Sequence, residues 1–186
     1  MVLTIYPPVL IANLSQRTFN RHDLIPLQPD VLWQIEQGTV RSLTWSEEGT
    51  PLTLGYWSVG DVVGQPLSSV QSYQIECLTS VEASCIPAHQ WNQALDAIFR
   101  HNRQVEELLC IVRQQSTHER LRQLLIWLAR KFGRSVESGQ LINLRLTHQD
   151  IAEVIGATRV TVTRLLSRFE QEGIIHRPRR HLILLR

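Results

Sequence analysis

The feature that most constrains the fold is a change of residue pattern about halfway along the chain. Residues 88–132 include neither glycine nor proline, and their apolar residues recur at close to helical spacing. A run of this length exceeds one ordinary globular helix. It therefore predicts a long helix, a bend near residues 115–117 and a second helix from about His118, for which Ser116 or Thr117 can supply the cap.

Upstream of this change, residues 17–86 alternate between apolar and polar positions in short stretches that turn residues separate. The stretch "VLWQIEQGTVRSLTW" alternates and turns at Gln37-Gly38, and "YQIECLTSVEASCIP" alternates again and ends at Pro87. Short strands at regular spacing, with glycine in the turns, predict an antiparallel sandwich or roll. Downstream of the helical run, we interpret residues 133–140 ("GRSVESGQ") as a polar loop.

Charge is distributed unevenly along the chain. The net charge is +2, yet residues 1–99 hold three Lys/Arg against nine Asp/Glu, while residues 100–186 hold sixteen against eight. A basic half joined to an acidic half suggests a polyanion as the partner of the basic half. An unevenly charged but merely solvated surface explains the charge alone equally well.

Several classes of protein are disfavoured by what the sequence lacks. Its three cysteines, Cys77, Cys85 and Cys110, form neither a disulfide framework nor a CxxC metal motif, as is usual in a reducing cytosol. A basic leader region and a bilayer-length apolar run are absent, so we expect a cytoplasmic protein without a membrane span. Zinc-protease, GxSxG and P-loop motifs are also missing, so we expect no enzyme, no metal and no cofactor.

The segment from Thr147 to Gly156 has the start and stop signals of one short helix. Thr147, followed three residues later by Asp150, offers a capping hydroxyl and a first-turn carboxylate. One inward apolar face is formed by Ile151, Ala152 and Ile155. Gly156 suits a sharp helix end, and Thr158 can cap the helix that follows.

The next stretch, "TRVTVTRLL", is rich in β-branched residues and resembles a strand by composition. A strand cannot explain the consecutive leucines, whereas a helix ending near Gly173 places four apolar residues on one face: Val162, Leu165, Leu166 and Phe169. The exposed face near its start carries Arg159, Val160, Thr163 and Arg164. Because β-branching lowers helix propensity, this face indicates a functional role rather than helix stability.

Two helices joined at a glycine form a helix-turn-helix, whose second helix enters the major groove of DNA by its N-terminal residues. An arginine fork binds guanine O6 and N7, and a valine or threonine methyl group contacts the methyl group of thymine. After Gly173, residues 174–185 predict a basic hairpin, or wing. Arg179 and Arg180 at its tip would contact phosphates, which set affinity but not sequence preference.

These motifs resemble a known family. Residues 145–186 are similar to the winged-helix DNA-binding domain of the CRP/FNR superfamily of bacterial transcription regulators. The string "LTHQDIAEVIGATRVTVTRLL" resembles most the branch of the cyanobacterial global nitrogen regulator. Upstream, "LWQIEQGTVRS" and "YWSVGDVVGQP" resemble β-roll segments of the family, and residues 88–116 occupy the position of its dimerisation helix.

The resemblance implies an α+β fold in three parts. Residues 1–87 would form an antiparallel β-roll like a cyclic-nucleotide-binding domain, residues 88–116 the dimerisation helix, and residues 117–186 the winged helix-turn-helix. The implied partners are double-stranded DNA, a second copy of the chain and RNA polymerase.

The resemblance also implies roles for single residues. Arg159 and Arg164 would read bases together with Val160 and Thr163. Val160 stands where other members often have glutamate, which favours a GTA-like half-site with an inverted TAC partner. The positions that contact the DNA backbone would be Thr147, His148, Gln149 and Thr158, with Arg179 and Arg180 from the wing.

The sensor half departs from the family pattern. Cyclic-nucleotide members hold the phosphate with a Gly-Glu-Leu segment and a later arginine, but residues 64–67 are Gly-Gln-Pro-Leu and residues 42–99 contain no Lys or Arg. We therefore do not expect gating by cyclic AMP. Gln104 and Glu106 match helix residues of the 2-oxoglutarate site, yet His101 stands where that site has an arginine. A protein partner at the β-roll is a further alternative for regulation.

Overall fold

The computed structural model describes residues 16–178 and 182–185. Within these residues the α-helices are α1 (Leu95–Val112), α2 (Thr117–Phe132), α3 (His148–Ile155) and α4 (Arg159–Gln171). The first strands are β1 (Arg17–Phe19), β2 (Val31–Gln37), β3 (Thr39–Trp45), β4 (Pro51–Ser58), β5 (Val62–Val63), β6 (Gln74–Cys77) and β7 (Val81–Pro87). The later strands are β8 (Gly133–Val136), β9 (Gly139–Ile142), β10 (Ile175–His176) and β11 (Leu182–Leu185). Short 3-10 helices cover Gln65–Leu67 and Ala88–Ala94.

The chain folds as two compact units. Among the described residues, the first holds residues 16–42 and 56–101, and the second holds residues 43–55, 102–178 and 182–185. The boundary within α1 therefore falls after His101, and the end of the β3–β4 hairpin belongs to the second unit. The division into a roll (1–87), a dimerisation helix (88–116) and a DNA-binding domain (117–186) stays a prediction.

The first unit is built on an antiparallel sheet with the strand order β1-β7-β2-β5. A second sheet has the order β4-β3-β6. Apolar residues that alternate along these strands are buried in the structure, namely Trp33 and Ile35 on β2 and Val81 and Ala83 on β7. Gly38 makes the turn after β2. Its φ of 90° favours glycine, and the nearby carbonyl oxygen of Ser80 leaves no room for a Cβ atom.

The helical run divides as its sequence predicts. After α1 ends, the side chain of Ser116 accepts a hydrogen bond from the backbone N–H of Glu119 at 3.1 Å and caps α2. The predicted bend is therefore confirmed, with Ser116 rather than Thr117 as the cap. The buried face of α2 contributes six side chains to the core of the second unit: Leu121, Leu124, Leu125, Trp127, Leu128 and Ala129.

The prediction of a polar loop at residues 133–140 is wrong. These residues form most of the β8–β9 hairpin, in a sheet with the strand order β10-β11-β9-β8. The sequence looks like a loop because β8 is an edge strand whose Gly133, Arg134 and Ser135 are exposed. Leu141 on β9 is buried and pairs with Ile183 of β11, so tertiary pairing determines this hairpin more than local composition does.

The core of the second unit positions the last two helices. Ile151, Ala152 and Ile155 of α3 are buried, as the sequence predicts. Val162, Leu166 and Phe169 of α4 are also buried, and Leu165 is partly buried. The strand-like stretch is therefore a helix. Together these elements confirm the α+β fold class with an N-terminal β-domain and a C-terminal helix-turn-helix. No helix in the described ranges combines the length and apolarity that a bilayer crossing needs.

Candidate nucleic-acid interface

The start of α3 is fixed by a capping box. The Thr147 side chain accepts from the backbone N–H of Asp150 at 3.1 Å, and the Asp150 carboxylate accepts from the backbone N–H of Thr147 at 2.7 Å. Thr147 and Gln149 are exposed and His148 is half-buried. The cap therefore places three of the predicted backbone-contacting residues together at one helix terminus, where backbone N–H groups favour an anion.

The turn between α3 and α4 depends on Gly156 and on a distant arginine. Gly156 has φ 62° and ψ 50°, the left-handed conformation that the sequence predicts for this helix end. The backbone N–H of Ala157 donates to the carbonyl oxygen of Ala152 at 3.0 Å. The guanidinium of Arg120 on α2 donates to the carbonyl oxygens of Ile155 at 3.0 Å and Gln114 at 2.8 Å.

Helix α4 begins at the predicted cap. The Thr158 side chain accepts from the backbone N–H of Thr161 at 3.1 Å, and the two threonine hydroxyl oxygens lie 2.9 Å apart. The buried face of α4 orients the opposite face towards solvent. Sequence periodicity therefore identified both faces of this helix correctly.

The exposed face of α4 brings the four predicted base-reading residues together. Its members, all exposed, are Arg159, Val160, Thr163 and Arg164. Val160 keeps 72% of its surface exposed, a large fraction for an apolar side chain in the first turn of a helix. Within the described residues, neither Arg159 nor Arg164 forms a salt bridge, so both guanidinium groups are available to a ligand.

A hydrogen-bonded chain links the two helices across this face. Nδ1 of His148 lies 2.7 Å from the hydroxyl oxygen of Thr163, and that hydroxyl donates to the carbonyl oxygen of Arg159 at 2.9 Å. Burial lowers the pKa of His148, and the neighbouring charges of Arg177 and Arg159 lower it further. The site is therefore electropositive, and the ring of His148 connects α3 to the exposed face of α4.

The wing hairpin is antiparallel, with Ile175 opposite Leu184 and His176 opposite Ile183. Arg177, which follows β10, forms an ion pair with Glu170 of α4: its Nη2 and Nε both donate to Oε2 of Glu170, at 2.6 and 2.9 Å. These hydrogen bonds lower the pKa of Glu170. Arg179 and Arg180, the predicted phosphate contacts at the tip, lie outside the described residues.

The structural roles of two arginines, Arg120 and Arg177, could not be predicted from the sequence. Arg120 is separated along the chain by 35 residues from Ile155, whose carbonyl oxygen it binds, and no local sequence pattern predicts such a contact. Arg177 is one of several arginines in a basic segment, and only the structure separates it from the others by its partner Glu170. Glu170 lies near the end of α4, seven residues before Arg177. This spacing is the weak signal by which the sequence could indicate the ion pair.

The candidate effector residues on α1 are occupied by protein contacts. The amide oxygen of Gln104 accepts a hydrogen bond from Lys131 of α2. The exposed carboxylate of Glu106 accepts from Asn102 at 3.1 Å, one helical turn earlier. Nothing in these contacts brings Gln104 and Glu106 to a common cavity.

His101 packs in the core rather than at the surface. It is buried in the first unit, where its ring stacks on Trp57 with centroids 3.9 Å apart and an interplanar angle of 6°. Its Nδ1 lies 3.0 Å from the carbonyl oxygen of Val62. The neighbouring Arg100 is exposed and donates to the carbonyl oxygen of Gly60 at 3.0 Å.

The three cysteines lie in different surroundings. Cys77 is fully buried, and burial raises the pKa of its thiol to about 12. Cys85 is partly buried, and burial likewise raises its pKa. Cys110 is exposed on α1.

Comparisons with known proteins agree with this geometry. The Crp-like helix-turn-helix domain family matches residues 119–186, which include both helices and the wing. The regulatory protein CysR of Synechococcus elongatus is 42% identical over 188 residues, covering 97% of this chain and 90% of that protein. The global nitrogen regulator of a Nostoc species is 30% identical over 189 residues, covering 91% of this chain and 82% of that protein.

Solved structures show the same fold. A CRP-family transcriptional regulator from Thermus thermophilus has a TM-score of 0.77 and 22% sequence identity, with 91% of this chain and 92% of that chain covered. FixK2 of Bradyrhizobium japonicum has a TM-score of 0.75 and 19% identity, with 91% of each chain covered.

Proposed function

Because this chain belongs to the CRP/FNR family of DNA-binding transcription regulators, we propose that it recognises a palindromic operator as a homodimer, with Arg159 and Arg164 reading base edges. The observation that carries the base-reading assignment is the exposed first half of α4, where two arginines without salt bridges flank Val160. An arginine fork without a salt bridge, on the second helix of a helix-turn-helix, is suited to guanine O6 and N7.

The same surface supports a division of labour between bases and backbone. Val160 and Thr163 add methyl groups, which fit a half-site with thymine, such as GTA with its inverted TAC partner. Thr147, His148, Gln149 and Thr158 flank this face at helix starts, where they would contact phosphates. Arg179 and Arg180 of the wing would add sequence-independent, salt-sensitive affinity.

The outward face of α1 supports homodimerisation through this helix. Large apolar side chains remain exposed there, with Leu95 at 49%, Phe99 at 57% and Leu109 at 56%. Together with Asn102 and Glu106 they follow the alternating four- and three-residue spacing of a coiled-coil seam within α1. A second copy of the chain packed on this seam would present two recognition helices, which a palindrome requires.

The regulatory input is a separate part of the proposal. Gating by cyclic AMP is not expected, because residues 42–99 provide no cation for its phosphate. The alternatives are 2-oxoglutarate bound near Gln104 and Glu106, or a protein partner on the β-domain. RNA polymerase is the partner through which a regulator of this kind would act.

Selection of bound sequences from random DNA tests the proposal most directly. The full-length protein should select a palindrome whose half-sites lie one DNA turn apart, and adding cyclic AMP should leave the selection unchanged. Enrichment only in the presence of 2-oxoglutarate would assign that effector.

The Arg159→Ala variant tests base reading. It should lose about 1–3 kcal/mol of binding to the selected operator and relax the preference for one base pair. The matched control is Arg168→Ala, because Arg168 is exposed on the same helix but is paired with Glu172 at 2.7 Å. An equal loss on operator and random DNA would contradict the base-reading role of Arg159.

A further inference from the structure

We infer that His148 is a positioning residue for base recognition. The ring of His148 and the carbonyl group of Arg159 both hydrogen-bond to the hydroxyl of Thr163, so Thr163 offers DNA a methyl group and not a hydrogen-bond donor. The inference rests on the proposed function, since it assumes that the exposed face of α4 meets base edges. It goes further because it specifies which chemistry one residue of that face presents and which neighbour controls it.

The hydrogen bonds on Thr163 settle the use of its hydroxyl. A threonine hydroxyl has one proton to donate, and here it donates to the carbonyl oxygen of Arg159, 2.9 Å away in the preceding turn. The contact of 2.7 Å with His148 therefore requires the histidine to be the donor. No proton remains on this hydroxyl for a base acceptor.

This arrangement also defines the tautomer of His148. Its Nδ1 carries the proton that Thr163 accepts, so in the neutral ring Nε2 is unprotonated. The capping box holds His148 in place, because it fixes the first turn of α3 through Thr147 and Asp150. The imidazole therefore restrains a side chain on the neighbouring helix from a rigid position.

The part of Thr163 that can contact DNA depends on the hydrogen bonds that its hydroxyl already makes. The side chain is exposed, and its hydroxyl lies between the ring of His148 and the backbone of α4, so the methyl group is the main part left for a ligand. Val160, three residues earlier, is exposed as well. The two form a small apolar area between two arginines, which suits the C5-methyl group of thymine.

Replacing thymine by deoxyuracil in the selected operator tests this inference, because it removes only the C5-methyl group. The wild-type protein should lose about fourfold in affinity for each methyl group removed, and so about 16-fold when one thymine in each of the two half-sites is replaced. Thr163→Val keeps the methyl group of Thr163 and replaces its hydroxyl with a second methyl group, so it should retain this sensitivity. Thr163→Ser keeps the hydroxyl without the methyl group and should lose it.

Variants of His148 separate positioning from simple packing. His148→Ala frees the Thr163 side chain to change rotamer, so the sensitivity to deoxyuracil at that thymine should fall. His148→Asn places an amide N–H near the position of Nδ1–H and should restore it. Because Thr163 is exposed and His148 half-buried, we expect thermal unfolding to show all four variants folded.

Two results would overturn the inference. One is a Thr163→Ser variant that stays as sensitive to deoxyuracil as the wild type at every thymine. The other is a Thr163→Val variant that binds the thymine operator much more weakly, because the hydroxyl would then act as a donor to DNA. If instead no palindrome is selected and Arg159→Ala has no effect, the proposed function fails before this test is reached.

Discussion

Individual arginines on and after α4 differ by their partners rather than by their residue type. Arg168 is paired with Glu172 and Arg177 with Glu170, whereas Arg159 and Arg164 have no salt-bridge partner among the described residues. A paired guanidinium must lose its carboxylate before it can bind another anion. Exposure without a carboxylate partner therefore distinguishes Arg159 and Arg164 from the two paired arginines, because an anion can bind them without displacing a carboxylate.

A single histidine should make DNA binding sensitive to pH. In the unbound protein the pKa of His148 is lowered from 6.5, chiefly by burial, with Arg177 and Arg159 adding to the effect. A DNA phosphate beside the ring would favour the charged form, so the pKa rises on binding and the complex takes up a proton. Affinity should therefore increase as the pH falls from above the pKa of the complex to below that of the free protein.

The slope of this dependence is bounded by proton linkage. It should not exceed about tenfold in affinity per pH unit for each half-site. Titration of a labelled operator between about pH 8 and pH 5.5 at constant ionic strength measures it, since these values bracket the usual pKa of histidine. His148→Asn should flatten the profile, and the control His89→Asn, at an exposed site in the other unit, should not. A profile unchanged in His148→Asn would exclude this phosphate contact.

At the scale of residues, the sequence predicted which side chains share the exposed face of α4 but not how they are restrained. Helical periodicity was sufficient to expose Val160 and bury Val162. The contact of His148 with Thr163 spans 15 residues and depends on the angle between two helices, which no local pattern specifies. Whether these residues bind DNA as proposed stays a prediction.

Among the elements, the turn between α3 and α4 carries the strongest backbone requirement. Gly156 adopts a left-handed conformation, and a Cβ atom there would meet only the guanidinium of Arg120, at 3.8 Å. Space is therefore sufficient, and the requirement for glycine is conformational.

Substitution of Gly156 should reveal this conformational cost. Gly156→Ala should lower the free energy of unfolding by about 1–2 kcal/mol, because L-residues other than asparagine and aspartate rarely adopt this conformation. Gly156→Asn has a larger side chain but tolerates the conformation better, so its loss should be smaller. Urea unfolding of the full-length variants measures both, and a larger loss in Gly156→Asn would indicate crowding instead.

The elements themselves were predicted where local signals and packing agree. Ser116, Thr147 and Thr158 cap helices at the positions that the sequence indicates. The hairpin at residues 133–142 was missed because its stability comes from pairing with β11, which lies some 40 residues further along the chain. A polar edge strand lacks the alternation that would identify it.

On the scale of the whole molecule, dimerisation should depend on the outward face of α1. Its apolar residues lie towards the two ends of the seam, and the hydrogen-bonded pair Asn102 and Glu106 lies at its centre. A polar pair at the centre of a seam disfavours other registers at some cost in stability. The apolar ends would therefore supply most of the affinity between two copies.

Charge placed at one apolar end should separate the copies. Leu109→Asp should raise the dissociation constant of the dimer at least tenfold and weaken binding to the palindrome, while binding to a single half-site changes less. Leu109 is already 56% exposed, so the fold of one chain should tolerate the change. Sedimentation equilibrium measures the association.

The control for this prediction is another exposed apolar residue. Val59 is 65% exposed and lies outside α1, so Val59→Asp should leave the association unchanged. Equal weakening by both substitutions would mean that added charge, and not the seam, controls association. No change with Leu109→Asp would place the dimer contact elsewhere.

Cys110, next to Leu109 on α1, provides a native site for labelling close to the proposed seam. Of its three thiols, Cys77 is buried and its pKa is about 12, and the pKa of Cys85 is also raised, so a maleimide dye should react first with exposed Cys110. In a parallel pair of α1 helices the two dyes would come close together. Pyrene attached there would emit as an excimer when two chains meet, which gives an optical signal of assembly on an operator without any engineered cysteine.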